Sequence, residues 1–462
     1  MYDIEKITKK HKLKLCKSIT ITSNCHSMRT KRLTIAKYTF FDSIPMIEKY
    51  YYEHLTINCY SNDFAVSSTN PVKFNHSLKT LIIHSYDSMK IIIKMKMELP
   101  KSLKKLMIPD LWMDEYPNNL EYLVCCRFQM KHENYLPKLR KLFITSFYYK
   151  DTKLPKNIET LSMYGVPSEY PKNLKKMFIR TNDTIKISKL PESVKYIAVN
   201  DAIKIPETIK IEKLSLCLTS LKNYDIYDII IDVKITSLKH LSLNVRSIMF
   251  DVSVPINLVF PKLESLSIKC HTCYKRFCYF RNNIKKLKII VVSQDNHSDI
   301  LITKLPVSLT YLSYEHLSYI SQDFILPPNL IYLKMMTKSS GVYKIMQLPQ
   351  SLKILKSDCH FIVPDDTFPP NLILMDIETN NNKLLSSMKC LTKLKYLTLK
   401  TNIDVSGYYP LSLKYLRKNY REYTDDHEMR YSDVYQNHHE MNHVPMRINY
   451  VELKQVHEKL IN

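Results

Sequence analysis

The feature that most constrains the fold of this chain is a short phrase that recurs along most of its length. The phrase reads apolar or aromatic residue, Pro, any residue, Ser or Asn, Leu, Lys or Glu, any residue, Leu, any residue, and Ile or Leu. Copies begin at Leu99, Tyr116, Leu154, Tyr170, Leu190, Leu305, Pro327, Leu348, Phe368 and Tyr409. Self-similarity of this kind predicts a repeat architecture, so the 462 residues are not divided into ordinary globular domains.

The Leu-x-x-Leu-x-Ile part of the phrase predicts a β-strand. Its last two apolar residues are two positions apart and share one face, because side chains alternate along a strand. Proline lacks an amide hydrogen, so it fits the turn that leads into the strand. One unit cannot bury its leucine face alone, and neighbouring units must stack. The sequence therefore predicts a leucine-rich-repeat-like solenoid, with a parallel β-sheet on the concave face, irregular or 3-10 convex segments and few long helices.

The quality of the copies suggests three regions. Residues 75–417 hold the clear repeat array. Arg32-Leu33-Thr34-Ile35 and His54-Leu55-Thr56-Ile57 look like degenerate strands, so we expect residues 1–74 to be degenerate N-terminal repeats or a cap. Residues 418–462 form a polar tail, whose segment 451–461 has helical spacing and could be a short helix capping the array.

Glycine is scarce, and this excludes several enzyme classes. The three glycines are Gly165, Gly341 and Gly407, where average usage of roughly 7% predicts about thirty. A Walker A loop or a dinucleotide fingerprint needs two or three glycines close together. There is also no His-Glu-x-x-His and no Gly-x-Ser-x-Gly phrase. We expect no enzyme activity, no catalytic residues, no cofactor and no small-molecule substrate.

The sequence indicates an intracellular protein. Its start lacks the apolar stretch of a secretory signal, and no segment approaches eighteen consecutive apolar residues. Eleven cysteines without a framework spacing suit reduced thiols. We expect a cytoplasmic location, no membrane association and no structural disulfides.

Two groups of residues resemble metal ligands. Cys270, His271 and Cys273, followed by Cys278, have the gap of a zinc half-site, but a second half-site is missing. Five histidines follow Arg417, at positions 427, 438, 439, 443 and 457. We interpret the cysteines as core residues around an irregular turn and the histidines as part of a solvated tail, so we expect no metal site.

The outward residues of the strands are the candidate binding surface, since extended concave sheets are what solenoids commonly use for binding. The residue before the second leucine of each copy defines one column. Its candidate partner-binding members are Lys105, Tyr122, Lys141, Lys176, Tyr196, His240, Lys286, Tyr311, Tyr332, Tyr396 and Tyr415, with Thr160, Ser265 and Ile354 at the intervening positions.

The tyrosines and lysines of this column have two interpretations. Tyrosine is enriched at interface hot spots, which favours a site that binds a partner protein. Alternatively, an exposed strand face simply prefers aromatic residues for cross-strand packing, while lysine keeps it soluble. We expect a non-catalytic scaffold that binds an unknown protein partner.

The net charge of +24 leaves a nucleic-acid partner open as an alternative. Lysines could follow an RNA or single-stranded DNA backbone while tyrosines stack on bases. However, the lysines recur at a fixed place in each repeat and do not form a single patch, which also fits a solvated column. Steep loss of binding with salt would distinguish a nucleic acid.

The phrase Leu-Pro-x-Ser/Asn-Leu-Lys-x-Leu resembles the FNIP repeat, a leucine-rich-repeat variant abundant in social amoebae and giant DNA viruses, over roughly residues 75–417. The Phe-Asn pair that names the family occurs once cleanly, at Phe74-Asn75, and its usual glycine is missing. Many members carry an amino-terminal F-box, so the resemblance implies a further alternative, a substrate-recognition subunit of a ubiquitin ligase. Residues 1–50 lack the helical, leucine-rich sequence of an F-box. The resemblance also implies the cytoplasm of an amoeba, or host cytoplasm if the protein is viral.

Overall fold

The computed structural model divides into two compact units, residues 1–200 and 201–462. It describes residues 19–21, 29–37, 51–59, 72–85, 93–94, 97–108, 111–112, 115–125, 128, 135–147, 153–180, 185–186, 190–200, 203–204, 210–218, 224–225, 235–249, 260–274, 283–292, 305–317, 325–337, 342–344, 347–358, 360–362, 368–401, 403, 407–421 and 431–432.

The first unit is a parallel sheet built by successive coils of the chain. Its strands are β1 Ile19–Ile21, β2 Arg29–Lys37, β3 Tyr51–Cys59, β4 Val72–Lys73, β5 Thr80–Ser85, β6 Ile93–Lys94, β7 Met97–Glu98, β8 Lys105–Ile108, β9 Leu111–Trp112, β10 Tyr122–Cys125, β11 Lys141–Phe147, β12 Thr160–Tyr164, β13 Lys176–Arg180, β14 Ile185–Lys186 and β15 Tyr196–Val199. The main sheet pairs β1, β2, β3, β5, β8, β10, β11, β12, β13 and β15 in that order, always in parallel. Short strands pair outside it, β4 with β7 and β6 with β9.

The second unit repeats the same arrangement. Its strands are β16 Ile203–Lys204, β17 Lys213–Leu218, β18 Tyr224–Asp225, β19 His240–Met249, β20 Ser265–Tyr274, β21 Lys286–Val291, β22 Tyr311–Leu317, β23 Tyr332–Thr337, β24 Val342–Lys344, β25 Ile354–Ser357, β26 His360–Ile362, β27 Leu374–Glu378, β28 Tyr396–Lys400, β29 Tyr415–Arg421 and β30 Tyr431–Ser432. The parallel sheet runs through β17, β19, β20, β21, β22, β23, β25, β27, β28 and β29. At its end β30 pairs antiparallel with β29.

Most strands of the main sheet bury the two core-facing apolar residues that the repeat phrase specifies. In β8 these are Leu106 and Ile108, and in β13 they are Met177 and Ile179, all almost without exposed surface. Equivalent residues pair directly, as Leu106 does with Leu123, so the core is a continuous row of side chains along each unit. Burying one such side chain contributes about 2 kcal/mol, and only stacking makes that burial available.

The proline and the Ser or Asn of the phrase build the turn before each strand. The amide of Leu174 donates to the carbonyl of Pro171 at 3.1 Å, which closes the turn. The Ser or Asn side chain then reaches back to the preceding coil: the Ser193 hydroxyl lies 2.9 Å from the Lys172 carbonyl oxygen and 2.7 Å from that of Leu174. The same contact recurs at Ser102, Asn119, Asn157, Ser237, Asn283, Ser308, Asn329, Ser351, Asn371 and Ser412.

Two repeats, at Leu136 and Phe260, lack one residue of the phrase, and at Leu136 the backbone conformation changes locally. The Leu136-Pro137-Lys138-Leu139 copy has no Ser or Asn before its leucine. Leu136 adopts a left-handed conformation with φ of 55°, which costs about 1–2 kcal/mol for a residue with a side chain. In place of the missing polar residue, the Lys138 amine donates to Asn119 Oδ1 at 2.9 Å. The next strand, β11, therefore keeps its register with β10.

The predicted solenoid of stacked coils with a parallel sheet is confirmed. Among the described residues the only helical elements are α1, Asn382–Ser387, and a 3-10 turn, Met388–Cys390. Asn381 caps α1 by accepting hydrogen bonds from the amides of Lys383 and Leu384. No helix in the described part of the chain has the length and apolarity to cross a membrane.

The strands extend beyond the clear repeat array at both ends. In the region expected to be degenerate, β1 pairs with β2 and β2 pairs with β3, and β3 then pairs with β5 of the clear array. Leu33, Leu55 and Leu81 lie in one row across these strands. Beyond residue 417, β29 continues to Arg421. The segment 451–461, expected to be a capping helix, lies outside the described residues, as do the five tail histidines.

We predict that Ser193→Ala will lower the free energy of unfolding of the first unit by about 1 kcal/mol, because two carbonyl groups lose a hydrogen-bond donor. Urea denaturation followed by circular dichroism measures this. Ser168→Ala is the matched control, since Ser168 is an exposed serine of the same unit. Equal effects of the two substitutions would show that the contact between coils contributes nothing.

Candidate functional site

In the first unit the strand register places the predicted column in one straight row on the outward face of the sheet. Lys105 pairs with Tyr122, Tyr122 with Lys141, Lys141 with Thr160, Thr160 with Lys176, and Lys176 with Tyr196. Thr80 of β5 also belongs to this row. Lys141 and Lys176 are exposed, while Lys105, Tyr122 and Tyr196 are half-buried.

A second outward column, which the sequence analysis did not single out, lies two residues further along each strand. Its members in the first unit are Ile82, Met107, Val124, Phe143, Ser162, Phe178 and Ala198. Strand alternation alone could have identified them, because residues two apart share a face. All but Ser162 are apolar, so an apolar track runs beside the lysine-bearing column.

Aromatic rings from the two columns form one cluster, which we call the aromatic patch: Tyr122, Phe143, Phe178 and Tyr196. The ring centroids of Tyr122 and Phe143 are 5.4 Å apart, those of Phe143 and Phe178 are 6.3 Å apart, and those of Phe178 and Tyr196 are 5.3 Å apart. The rings meet at tilted or edge-to-face angles, as aromatic pairs prefer. All four side chains remain partly exposed.

Positive charge surrounds this patch. The Lys105 amine lies 4.8 Å from the centroid of the Tyr122 ring, a cation–π contact. Burial raises the pKa of Tyr122, so its hydroxyl stays protonated at neutral pH. Neither outward column of the first unit contains a carboxylate at the strand positions given above.

Glu121 and Glu159 of the first unit lie instead in the position just before a strand, which we call the edge column. Lys104 pairs with Glu121 at 3.1 Å, and Lys175 pairs with Glu159 at 3.0 Å. The hydrogen bond from Lys175 lowers the pKa of Glu159, and the nearby Arg140 and Lys141 charges act in the same direction. Within the edge column, Glu121 and Glu159 are therefore paired with neighbouring cations.

In the second unit the predicted column is also one row, but its middle is buried. The row consists of Lys213, His240, Ser265, Lys286, Tyr311, Tyr332, Ile354, Leu374, Tyr396 and Tyr415. Tyr332, Ile354 and Leu374 are only 3%, 0% and 5% exposed. Tyr311 stacks on Tyr332 with ring centroids 4.2 Å apart, and Tyr396 packs against the same cluster. Sequence reasoning omitted Lys213 and Leu374, although both occupy the register position.

The outward face of the second unit carries carboxylates beside some of its lysines, which the two outward columns of the first unit do not. The Glu315 side chain is 16% exposed. Its Oε1 atom lies 2.9 Å from the Lys334 amine and 3.9 Å from the Lys288 amine. Burial raises its pKa, but the Lys334 and Ser313 hydrogen bonds and the two lysine charges outweigh burial, so the net shift is downward. Further along, burial lowers the pKa of Lys356 and raises the pKa of Asp376. The charge of each group acts on the pKa of the other in the direction opposite to burial.

His240 and Cys270 lie on opposite faces of the second unit. Burial, together with the charges of Lys213, Lys286 and Lys239, lowers the pKa of His240, so its imidazole is neutral at pH 7. Cys270 is buried in the leucine core, and Cys278 lies outside the described residues. Within the described ranges, no group of three or more potential ligands is placed to hold a metal ion, and Cys125, Cys217, Cys270 and Cys390 form no disulfide.

The stacked coils and leucine core define a leucine-rich-repeat type of solenoid. No protein-family model matches the chain, and no curated protein matches it. Among solved structures, CroV588, a circular leucine-rich-repeat protein, is similar at 18% identity and a TM-score of 0.44 over 85% of this chain, which spans 64% of that chain. TLR13 in complex with ssRNA13 is similar at 14% identity and a TM-score of 0.46, covering 89% of this chain and 78% of that chain. YopM, a leucine-rich effector protein from Yersinia pestis, is similar at 16% identity and a TM-score of 0.31, covering 78% and 88%.

We predict that Tyr332→Ala will destabilise the second unit by about 3 kcal/mol, because removing a buried ring leaves a cavity. Tyr415→Ala, at a half-buried position of the same column, should cost about 1 kcal/mol or less. Chemical denaturation of each variant measures the difference. Equal losses of stability in the two variants would contradict the structural role of the stacked pair.

We predict that Glu315 makes the stability of the second unit depend on acid pH. Its pKa in the folded protein lies below the ordinary value of 4.5, so the carboxylate stabilises the fold above pH 4.5, and this contribution is lost as the pH falls through the folded pKa. Glu315→Gln should lower stability at pH 7 by about 1 kcal/mol, and the variant and wild type should converge at low pH. Denaturation midpoints between pH 2 and 7 measure this, with Glu264→Gln at an exposed ion pair of the same unit as the control.

Proposed function

We propose that this protein is a non-catalytic scaffold that binds a protein partner on the outward sheet face, and that the aromatic patch of the first unit is the main contact. The proposal includes the finer assignment to FNIP-type repeats and a cytoplasmic location. The observation that carries the function is the display of four partly exposed aromatic rings on a strand-built platform.

A platform of this kind suits protein recognition for physical reasons. Aromatic side chains dominate binding energy at interfaces, because large rigid rings bury much area at little cost in entropy. Here Tyr122, Phe143, Phe178 and Tyr196 are already held by mutual packing on neighbouring strands. Binding therefore requires little further ordering of these side chains.

A nucleic-acid partner is the second candidate function. Lys105, Lys141 and Lys176 stand beside the aromatic rings without a carboxylate in either outward column, and such lysines can neutralise phosphates. This candidate predicts that captured material is nucleic acid and that its binding falls steeply with salt.

We predict that tagged full-length protein will capture a partner protein from a cytoplasmic extract of its natural host, and that nuclease treatment will not remove it. The double variant Phe143→Ser and Phe178→Ser should lose the partner, because it removes two of the four rings. Quantitative mass spectrometry of the captured material, with and without nuclease, is the measurement.

The matched control replaces exposed apolar side chains away from the sheet face. Val307→Ser and Ile325→Ser remove residues that are 53% and 70% exposed in segments preceding strands, and they should retain the partner. Capture that is abolished by nuclease would favour the second candidate. A partner that both double variants retain would show that the aromatic patch is not the binding surface.

A further inference from the structure

We infer that the face of the first unit recognises an acidic amphipathic α-helix of a partner protein. This inference rests on the proposed function and specifies the chemistry of the partner. It follows from three properties of the same face: the spacing of its lysines, the apolar track beside them, and the absence of carboxylates from both columns.

The lysines are spaced regularly across the sheet. Lys105, Lys141 and Lys176 lie on β8, β11 and β13, and one further strand separates each consecutive pair. Neighbouring strands are about 4.8 Å apart, so consecutive lysines of this set stand about 9.6 Å apart. The three amines therefore form a line that crosses the strands and covers roughly 19 Å.

This spacing matches an α-helix better than an extended chain. Residues i and i+7 of a helix lie on the same side about 10.5 Å apart. In an extended chain, a separation of about 10 Å corresponds to three residues, and residues three apart point to opposite faces. Three acidic side chains at i, i+7 and i+14 can therefore meet the three lysines along one side of a helix.

The apolar track supplies the second half of the match. Met107, Phe143 and Phe178 are partly exposed and lie two residues along the strand from the lysine-bearing column, a distance of about 6.7 Å. A helix with an acidic stripe beside an apolar stripe presents the complementary pattern. Burial of its leucines or aromatics against the track would provide most of the affinity, while the charges would set orientation and association rate.

Electrostatics distinguishes this face from its counterpart in the second unit. There, Lys334 and Lys288 already contact Glu315, and Lys356 lies beside Asp376. In the first unit, Glu121 and Glu159 contact edge-column cations at Lys104, Arg140 and Lys175. In the first unit Lys105, Lys141 and Lys176 have no carboxylate in either outward column, so an acidic partner can supply the opposite charge.

The ring geometry favours a polypeptide over a single-stranded nucleic acid. Stacking of bases requires open aromatic faces, whereas the Lys105 amine sits over the Tyr122 ring and Phe178 meets Tyr196 edge-to-face at 66°. The aliphatic members of the track offer no donors for phosphates or base edges. Leucine-like side chains are the better complement to such a surface.

The test uses the full-length protein and fluorescence anisotropy with defined probes. The first probe is a 21-residue helical peptide with Glu at i, i+7 and i+14 and a neighbouring Leu/Phe stripe. The others are the same peptide with Lys in place of Glu, a scrambled peptide of identical composition, and a 20-nucleotide oligothymidylate. The protein variant combines Lys105→Gln, Lys141→Gln and Lys176→Gln.

A matched control removes the same charge from the same unit. Lys101→Gln, Lys156→Gln and Lys172→Gln change exposed lysines that follow the prolines of the turns and lie outside both outward columns. The circular dichroism spectra of both triple variants should match that of the wild type.

We expect the acidic helix to bind the wild type and the control variant equally, and to bind the outward-column variant about tenfold more weakly, as expected for three partly exposed charge pairs. The Lys-substituted and scrambled peptides should each bind at least about tenfold more weakly than the acidic helix, and added salt should reduce the difference between the two variants.

Each contrary result has a separate meaning. Equal binding of the Lys-substituted peptide would overturn the acidic partner while leaving the proposed protein scaffold intact, and equal binding of the scrambled peptide would overturn the helical match. Binding of the oligothymidylate alone, lost in the outward-column variant, would overturn both this inference and the proposed protein partner. If no probe binds, the inference is wrong, and the capture experiment decides the proposed function by itself.

Discussion

The hydrogen bond from a Ser or Asn side chain to the preceding coil is the interaction on which the rest of this structure depends. Each coil has different loops, and its length varies from 14 residues between Ile19 and Leu33 to 27 between Lys213 and His240. Nevertheless most of the turns present a Ser or Asn side chain to the carbonyl groups of the preceding coil. Within each unit this contact, together with the backbone ladder, fixes the start of each strand. A fixed start places the leucines in one row and the outward residues in two others.

Because of this register, the residue at a given position of each repeat determines what the outward face displays on that strand. In the first unit, Lys105, Lys141 and Lys176 and the four rings of the aromatic patch remain partly or fully exposed there. In the second unit, the equivalent positions at Tyr332, Ile354 and Leu374 carry side chains that bury one another. The same backbone position therefore supports a display surface in one unit and an internal apolar cluster in the other. The choice depends only on the size and polarity of neighbouring side chains.

The positive charges in the described part of the chain also fall into two groups, those paired with carboxylates and those without a carboxylate in the outward columns. Some are balanced across coils, as at Lys79 with Glu53 and Lys239 with Glu212, and others are balanced on the outward face by Glu315. The lysines of the outward column in the first unit remain beside an apolar track. A net charge of +24 is thus a poor guide to a partner, whereas the position of each charge in the repeat is informative.

The sequence by itself determined the repeat, the strand, the buried pair in each strand and the outward position of the first column. These follow from the period of two in a strand and from leucine burial, both of which are local properties. The deleted residue at Leu136 did not change the register of the strands, because the turns accommodate length changes outside the ladder. Whether an outward residue is displayed or buried could not be read from the phrase: Tyr122 and Tyr332 occupy the same repeat position. Only the tertiary structure decided between them, since the burial of a side chain depends on the residues that neighbouring strands place against it.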